Sequence, residues 1–404
     1  MTMGEKEDFE YNDEFFFKDT IRDRAAAEFS SIWFALNSEK VRDEFGKNDE
    51  KTKKLKEEFQ WWGFLVVRFA VVALAIAAVE PTLLRPAAEA GYLPHAASVV
   101  AAVFAGLLGV TSVRMGYFGM GFAGRKRNWL RSRLLCERIR QWRWQYYCAH
   151  IPEILSASPD ATRRIEYAAQ HELAFSEFLQ KLKNEQEAVL ENILSSDDPS
   201  SDDTSSPDAV WAQDVFKTAV LRDETLQAIE SAKFPAGDPA AQLVAAYKNI
   251  RIGAQKRYAN YLVKKSGPFA THPATQKAWL HKRSTRLLLG IFGLHILILA
   301  LVLALFLPVT VTKTIDVAAV AMGVLAVILA LFALGFRAIE DGLRPSEHLG
   351  RLKGYLAEVG SIEEAFDEAK SASTRRNLMM ALEKASYKEM VDFLQAGNRS
   401  NYVM

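Results

Sequence analysis

Four long stretches of this sequence are apolar and nearly free of charged side chains, and they restrict its fold more than any other feature. The third and fourth contain no Asp, Glu, Lys or Arg, which is unusual for a buried helix of a large soluble protein. Such a buried helix would suit the second stretch, which is rich in Ala and Gly, but not the third or the fourth. About 20 helical residues cross a hydrocarbon core of about 30 Å, so the sequence predicts four transmembrane helices. The stretches are 61–84, 94–113, 287–309 and 317–336.

The average composition conceals these stretches. Half of the 404 residues are hydrophobic, a quarter are charged, the formal net charge is +1 and the mean hydropathy is −0.04, as in a soluble protein of two or three domains. These values exclude a disordered chain, and the balanced charge argues against a nucleic-acid partner. Two cysteines, Cys136 and Cys148, are too few for a disulfide scaffold or a four-cysteine metal site.

Basic residues flank the stretches on one side only. The loop between the first and second stretches has Arg85 as its basic residue, and the loop between the third and fourth has Lys313. The segments after the second stretch and before the third are strongly basic. The positive-inside rule therefore predicts two hairpins whose loops lie outside, with both termini in the cytoplasm of a bacterial inner membrane. Arg68 and Arg114 are expected to extend to the lipid headgroups. The basic residues expected at the membrane surface are Arg68, Arg114, Arg125, Lys126, Arg127, Lys282, Arg283 and Arg286.

The remainder of the chain shows helical periodicity and no alternating strand pattern, which predicts an all-α polytopic membrane protein with a helical cytoplasmic domain. Ser158 and Pro159 are expected to begin a long helix, and Asn48 or Asp49 a helix that continues into the first span. The predicted segments are N-terminal cytoplasmic helices (1–60), hairpin 1 (61–113), a cytoplasmic helical domain (114–286) with an acidic linker (195–208), hairpin 2 (287–336) and C-terminal cytoplasmic helices (337–404).

An apolar stripe on the long helix leaves two interpretations open. Phe175, Leu179, Leu182, Val189 and Ile193 alternate at spacings of three and four residues. Such a stripe forms a coiled-coil seam between copies or packs on neighbouring helices of its own domain, and the second interpretation is favoured.

The sequence contains no recognisable catalytic motif. HExxH, P-loop and GxSxG patterns are missing, and we expect a non-enzymatic protein without cofactor or metal. His171 and Glu172 are adjacent on a helix and so point to different faces. His295 lies within the third span, where ionisable residues are often functional, so pore lining, proton sensing and a hydrogen bond to a neighbouring helix all stay open.

The most specific segment is residues 129–140, which match the pattern W-L-x-x-R-x-x-x-E-R-[IL]-R. Arg133, Glu137 and Arg140 share one helix face, so the carboxylate lies between two guanidinium groups. A structural ion-pair network explains these residues as well as a functional role does. The motif residues are Trp129, Arg133, Glu137, Arg138 and Arg140.

This motif, placed after a pair of spans, resembles that of the SLATT-like proteins of bacteria, which are SMODS- and SLOG-associated transmembrane proteins. The resemblance covers residues 55–395 and implies an effector of antiviral defence. Such an effector would form a homo-oligomeric pore in the lipid bilayer when a nucleotide signal or a cytoplasmic sensor protein triggers it. Two departures are the absence of room for a SLOG domain before the first span and the acidic linker. The alternative is a membrane-anchored scaffold whose helical domain binds a protein partner.

Overall fold

The computed structural model describes residues 13–116, 122–195, 238–264, 267–269, 271–305 and 312–402. Within these ranges all regular structure is helical and no strand occurs, so the all-α prediction is confirmed. Most of the predicted acidic linker 195–208 lies outside the described residues.

The described residues form helices joined by turns and loops. A 3₁₀ turn at Asp13–Phe15 precedes the first helix, and π-helical segments occupy Glu80–Leu84 and Tyr247–Ile252. The α-helices are α1 (Asp19–Glu28), α2 (Trp33–Leu36), α3 (Glu39–Val79), α4 (Arg85–Glu89), α5 (His95–Gly116), α6 (Phe122–Ala149), α7 (Ile151–Ala157), α8 (Ala161–Ser195), α9 (Pro239–Ala246), α10 (Gly253–Val263), α11 (Pro273–Leu305), α12 (Thr312–Leu343), α13 (Pro345–Glu368) and α14 (Ala372–Arg399).

Four of these helices are long and apolar enough to cross a membrane, as predicted. They are α3, α5, α11 and α12, and they contain most of the four apolar stretches, of which residues 306–309 lie outside the described residues. The prediction of four transmembrane helices is confirmed at the level of length and composition.

Two predicted helix starts were wrong. Helix α3 begins at Glu39, ahead of Asn48 and Asp49. Helix α8 begins at Ala161, because a carboxylate oxygen of Asp160 accepts the backbone N–H of Thr162 at 2.8 Å. The Ser158 hydroxyl, expected to cap that helix, instead donates to the carbonyl of Ser31 at 2.8 Å.

The chain divides into two compact units. The first, here called the helical unit, combines residues 1–54, 128–267 and 347–398. Phe175 and Leu182 of α8 are buried in its core, and the ring of Phe175 lies 5.1 Å from that of Trp142, centroid to centroid. The apolar stripe on α8 therefore packs within its own unit, which confirms the favoured interpretation.

The second unit, here called the apolar unit, combines residues 55–127, 268–346 and 399–404. The Ser112 hydroxyl of α5 donates to the carbonyl of Val66 in α3 at 3.0 Å. The rings of Trp279 in α11 and Phe336 in α12 lie 5.6 Å apart. Most large apolar side chains of α5 and α11 are exposed, an arrangement that suits lipid as the surrounding medium.

Candidate functional site

The five motif residues all lie on α6 within the helical unit, and four of them are buried. This helix is polar along most of its length, and even so its second half is enclosed by other helices. A polar helix can be buried only where its side chains find partners, so those partners define the candidate site.

An alternating chain of charged groups begins on α6. The guanidinium of Arg133 pairs with Glu137, and Nη1 of Arg140 lies 3.1 Å from the other oxygen of the same carboxylate. Nε of Arg140 then lies 2.6 Å from Oε1 of Glu14 in the N-terminal 3₁₀ turn. The complete set, here called the ion-pair chain, is Arg133, Glu137, Arg140, Glu14, Arg251 and Glu383.

The second half of the ion-pair chain is the more deeply buried. Nη1 of Arg251 lies 3.1 Å from Glu14, and its Nε and Nη2 atoms contact both oxygens of Glu383 at 2.8 and 2.7 Å. Side chains of Arg251 and Glu383 are fully enclosed. The Tyr247 hydroxyl donates to Glu383 at 2.9 Å, and the Trp144 indole donates to Glu14 at 3.1 Å. Both carboxylates thus receive neutral donors in addition to guanidinium groups.

Neighbouring charges favour the ionised forms of Glu137 and Arg251 in the ion-pair chain. Burial opposes ionisation of Glu137, but the charges of Arg133 and Arg140 outweigh it and hold the pKa of that carboxyl below its ordinary value. Burial also opposes the charge of Arg251, and Glu383 and Glu14 overcome this and raise its pKa well above the ordinary value. Both pKa shifts stabilise the charged forms that an ion pair requires.

The ion-pair chain connects segments that are distant in the sequence, so it contributes to the free energy of unfolding. Removing one member of a buried ion pair leaves an uncompensated charge and costs about 3–5 kcal/mol. The geometry therefore supports the structural interpretation of the motif, with three acids alternating with three arginines.

Arg138 lies on another face of α6, whereas Trp129 lies one turn before Arg133 and contacts α14. Arg138 donates to the side-chain oxygen of Gln141 at 3.0 Å and lies over the ring of Tyr387 in α14. The ring of Trp129 meets that of Phe393 edge to face, with centroids 5.8 Å apart. The motif thus serves two contacts, the ion-pair chain and the packing of α14.

Sequence reasoning did not identify the partners Glu14, Arg251 and Glu383. A weak signal exists for two of them. Glu383 lies one helical turn after Met379 in an apolar stripe, and Arg251 stands between two isoleucines. Charged residues on an apolar face are rarely buried alone, so each required a partner that the pattern does not reveal.

In the apolar unit, the structure places His295 on the exposed face of α11. Its Nδ1 atom lies 2.8 Å from the carbonyl of Ile291, one turn earlier in the same helix. The predicted hydrogen bond is thus made within its own helix rather than to a neighbour.

The predicted surface cations also lie in the apolar unit. Arg125 lies over the ring of Trp62 at 4.5 Å and Arg283 over that of Trp279 at 5.3 Å. None of the eight is buried: Arg68, Arg114, Arg125, Lys126, Arg127, Lys282, Arg283 and Arg286.

Glu80 is an acid within the first apolar stretch that sequence reasoning passed over, although a carboxylate there is conspicuous. It is buried and accepts hydrogen bonds from the Ser98 hydroxyl at 2.6 Å and from Arg85 at 3.1 Å. Pro81 follows it at the start of the π-helical segment, where the missing backbone N–H loosens the helix. The pairing neutralises the charge and connects the π-helical segment after α3 to α5.

Among the described residues, no group of three or more His, Cys, Asp or Glu side chains is placed to hold a metal ion. No protein-family model matches the sequence, and comparison with curated proteins and with solved structures found no significant match.

Proposed function

We propose that this chain is a non-enzymatic membrane effector of a bacterial defence or stress system. Its four apolar helices cross the inner membrane as two hairpins, several copies assemble, and a cytoplasmic signal leads them to permeabilise the bilayer. The observation that carries the proposal is the exposure of apolar helix surface together with His295, because an ionisable side chain facing hydrocarbon needs a polar environment that another copy would supply.

Contacts inside the apolar unit support the two hairpins. In the first pair, Glu80 contacts Ser98 and Val66 contacts Ser112, so α5 runs antiparallel to α3. In the second pair, Trp279 of α11 contacts Phe336 of α12, while a Cβ added at Gly290 would lie 3.9 Å from Leu329. Antiparallel pairs place both ends of each pair on one side of a membrane, in keeping with the distribution of basic residues.

Small residues support assembly of copies. Ala319, Gly323, Ala326 and Ala330 follow one another at helical spacing on α12; Ala326 is buried within the unit, and the other three are partly exposed. A Cβ added at Gly323 would meet no described atom within 4 Å, so backbone is open there to a close approach.

The helical unit supports the role of signal receiver. Its ion-pair chain connects the N-terminal turn, α6, α14 and the π-helical segment that contains Arg251. A unit held together by such ion pairs moves as a rigid body when a ligand binds to it, and does not deform locally. The resemblance of residues 129–140 to SLATT-like proteins adds the expectation that a nucleotide or a sensor protein is the signal.

The test is induced expression of the full chain in a bacterial host that carries a potential-sensitive dye. We expect the dye to report loss of membrane potential, and His295→Leu to reduce that loss. His281→Leu changes an exposed histidine of the same helix outside the apolar stretch and is the matched control. An unchanged potential, with genes adjacent to this one also supplied, would count against the effector.

A scaffold is the second candidate, and one observation favours it. Ile165 and Leu173 on α8 of the helical unit are 72% and 62% exposed, an apolar surface that a protein partner would cover. A scaffold predicts that the partner is still captured when an unrelated anchor replaces the spans, and that Ile165→Ser abolishes capture. An effector predicts that the spans themselves are required for activity.

A further inference from the structure

One groove of the apolar unit combines an aromatic wall with a single cation. It has a volume of about 340 Å³ and lies between α3, α11 and α12. Close approach of Gly335 to Val71, where an added Cβ would come within 2.7 Å, brings α12 against α3 at the floor of the groove. Its lining includes Arg68, Val72, Phe269, Trp279, Phe332 and Phe336.

The groove extends across the boundary of the apolar stretches. Trp279 precedes the third stretch, and Phe336 is the last residue of the fourth. Their ring contact therefore marks the level where apolar sequence ends. Val72 and Phe332 lie about one turn deeper, in apolar sequence, whereas Phe269 lies beyond Trp279 on the polar side. An occupant of this groove would thus have an apolar part and a polar part.

The charged residues of the groove determine whether the polar part of an occupant should be positive or negative. Arg68 is the only charged residue among those that line it, and it makes no salt bridge or hydrogen bond with any described residue. Arg283 adds a second positive charge on the exposed ring of Trp279, 5.3 Å from its centroid. A second groove of the unit, of about 560 Å³, contains both Arg337 and Asp341, so its charges cancel.

From this placement we propose that the first groove is a binding site for an anionic phospholipid. One acyl chain packs on Val72, Phe332 and Phe336, and the headgroup phosphate accepts hydrogen bonds from the guanidinium of Arg68. The proposal rests on insertion of the chain into a membrane but is independent of permeabilisation, because binding is measured on purified protein.

The test is native mass spectrometry of the full chain released from nonionic detergent. The probes are dioleoyl phosphatidylglycerol, dioleoyl phosphatidylcholine with the same chains, and glycerol 3-phosphate, which has a phosphate and no chains. We expect the wild type to bind phosphatidylglycerol about fivefold more tightly than phosphatidylcholine. This is the factor in affinity that one cation near an anionic headgroup contributes. Arg68→Gln should abolish this preference and Arg68→Lys should retain most of it. Trp279→Ala should weaken binding of both lipids.

Arg337→Gln is the matched control, because Arg337 follows Phe336 directly but lines the other groove. It should leave the preference unchanged, and a detergent melting scan checks that each variant is folded. Equal binding of the two lipids by the wild type, equal loss in Arg68→Gln and Arg337→Gln, or competition by glycerol 3-phosphate as strong as that of the lipid would each overturn the proposal. The membrane-potential experiment is unaffected by any of these results.

Discussion

Gln145 of α6 is fully enclosed in the helical unit, and neither its amide nitrogen nor its amide oxygen has a hydrogen-bond partner among the described residues. A buried unpaired polar group costs about 1–3 kcal/mol. Gln145→Leu replaces the amide by hydrocarbon of similar size, so we expect a higher melting temperature of the full chain in detergent, followed by circular dichroism.

Gln141, one turn earlier on α6, provides the control for this change. Its side chain accepts a hydrogen bond from Arg138 at 3.0 Å and donates one to the carbonyl of Ser386 at 3.2 Å. Gln141→Leu removes both hydrogen bonds and should lower the melting temperature. Shifts of the same sign in the two variants would contradict the assignment of Gln145 as unsatisfied.

The pH dependence of stability should contain a contribution from His171. Burial among the rings of Trp142 and Tyr146, together with the charges of Arg143 and His150, lowers its pKa from 6.5 to about 3. Below pH 6.5 the unfolded chain binds a proton that the folded chain does not bind until about pH 3. The free energy of unfolding therefore falls by about 1.4 kcal/mol for each pH unit between these values.

His171→Phe should flatten the melting temperature between pH 6.5 and 5, whereas the exposed His281→Phe should leave the slope as it is. Glu137 does not interfere in this window. Its pKa is lowered from 4.5, so the stability it contributes is complete above 4.5 and is lost only as the pH falls further. An unchanged slope in His171→Phe would show that the imidazole is protonated in the folded chain.

For the candidate site, the sequence revealed the residues that are close in the chain and missed those that are distant. Arg133, Glu137 and Arg140 follow from spacings of four and three residues on one helix, which any helix brings together. Glu14 and Glu383 come from the opposite ends of the chain, and their pairing depends on tertiary packing that leaves no periodic signal.

Among elements, the apolar helices were the easiest to predict, because an uninterrupted run of apolar residues has few alternative structures. The first residues of the other helices were harder to predict. Ser158 and Asp160 both have side chains suited to cap α8, and only the tertiary contact between Ser158 and Ser31 decides between them. Ser and Asp have nearly equal capping propensities. The residue at which such a helix begins is therefore determined by contacts outside the helix.

The ring of Tyr402 is held between two helices of the apolar unit. A Cβ built on Gly63 of α3 or on Gly342 of α12 would come within 2.3 Å of ring atoms of Tyr402. Because the ring is buried and held from both sides, it has no free direction to move. Gly63→Ala and Gly342→Ala should each destabilise the chain by about 1–3 kcal/mol in a detergent melting experiment.

The cause is tested by repeating Gly63→Ala in a Tyr402→Ala background, where the cost should largely vanish as a non-additive pair. Gly106→Ala is the control, since a Cβ there meets no described atom within 4 Å and the exchange should be neutral or stabilising. A full cost in the Tyr402→Ala background would assign the effect to the helix backbone instead.

At the scale of the whole molecule, the net charge of +1 is a sum of unlike parts. The apolar stretches contain almost no charged residues, and in the helical unit acidic and basic side chains form ion pairs. Hydropathy along the chain predicted the order of these segments. It did not predict that residues 1–54, 128–267 and 347–398 form one unit, because the hydrophobic pattern of each segment is satisfied by any suitable partner.

The orientation of the chain in a membrane determines which single cysteines an external reagent reaches. Tyr92 is 85% exposed and follows Gly91, whose φ of +77° turns the chain between α4 and α5. In two hairpins with outside loops, Tyr92→Cys reacts with a membrane-impermeant maleimide in intact cells, whereas Ile165→Cys on the helical unit reacts only after permeabilisation. The native thiols give little background, since Cys136 and Cys148 are buried and burial raises the pKa of Cys136 to about 12. Labelling in the reverse order would mean that the helical unit lies outside and that its signal comes from there.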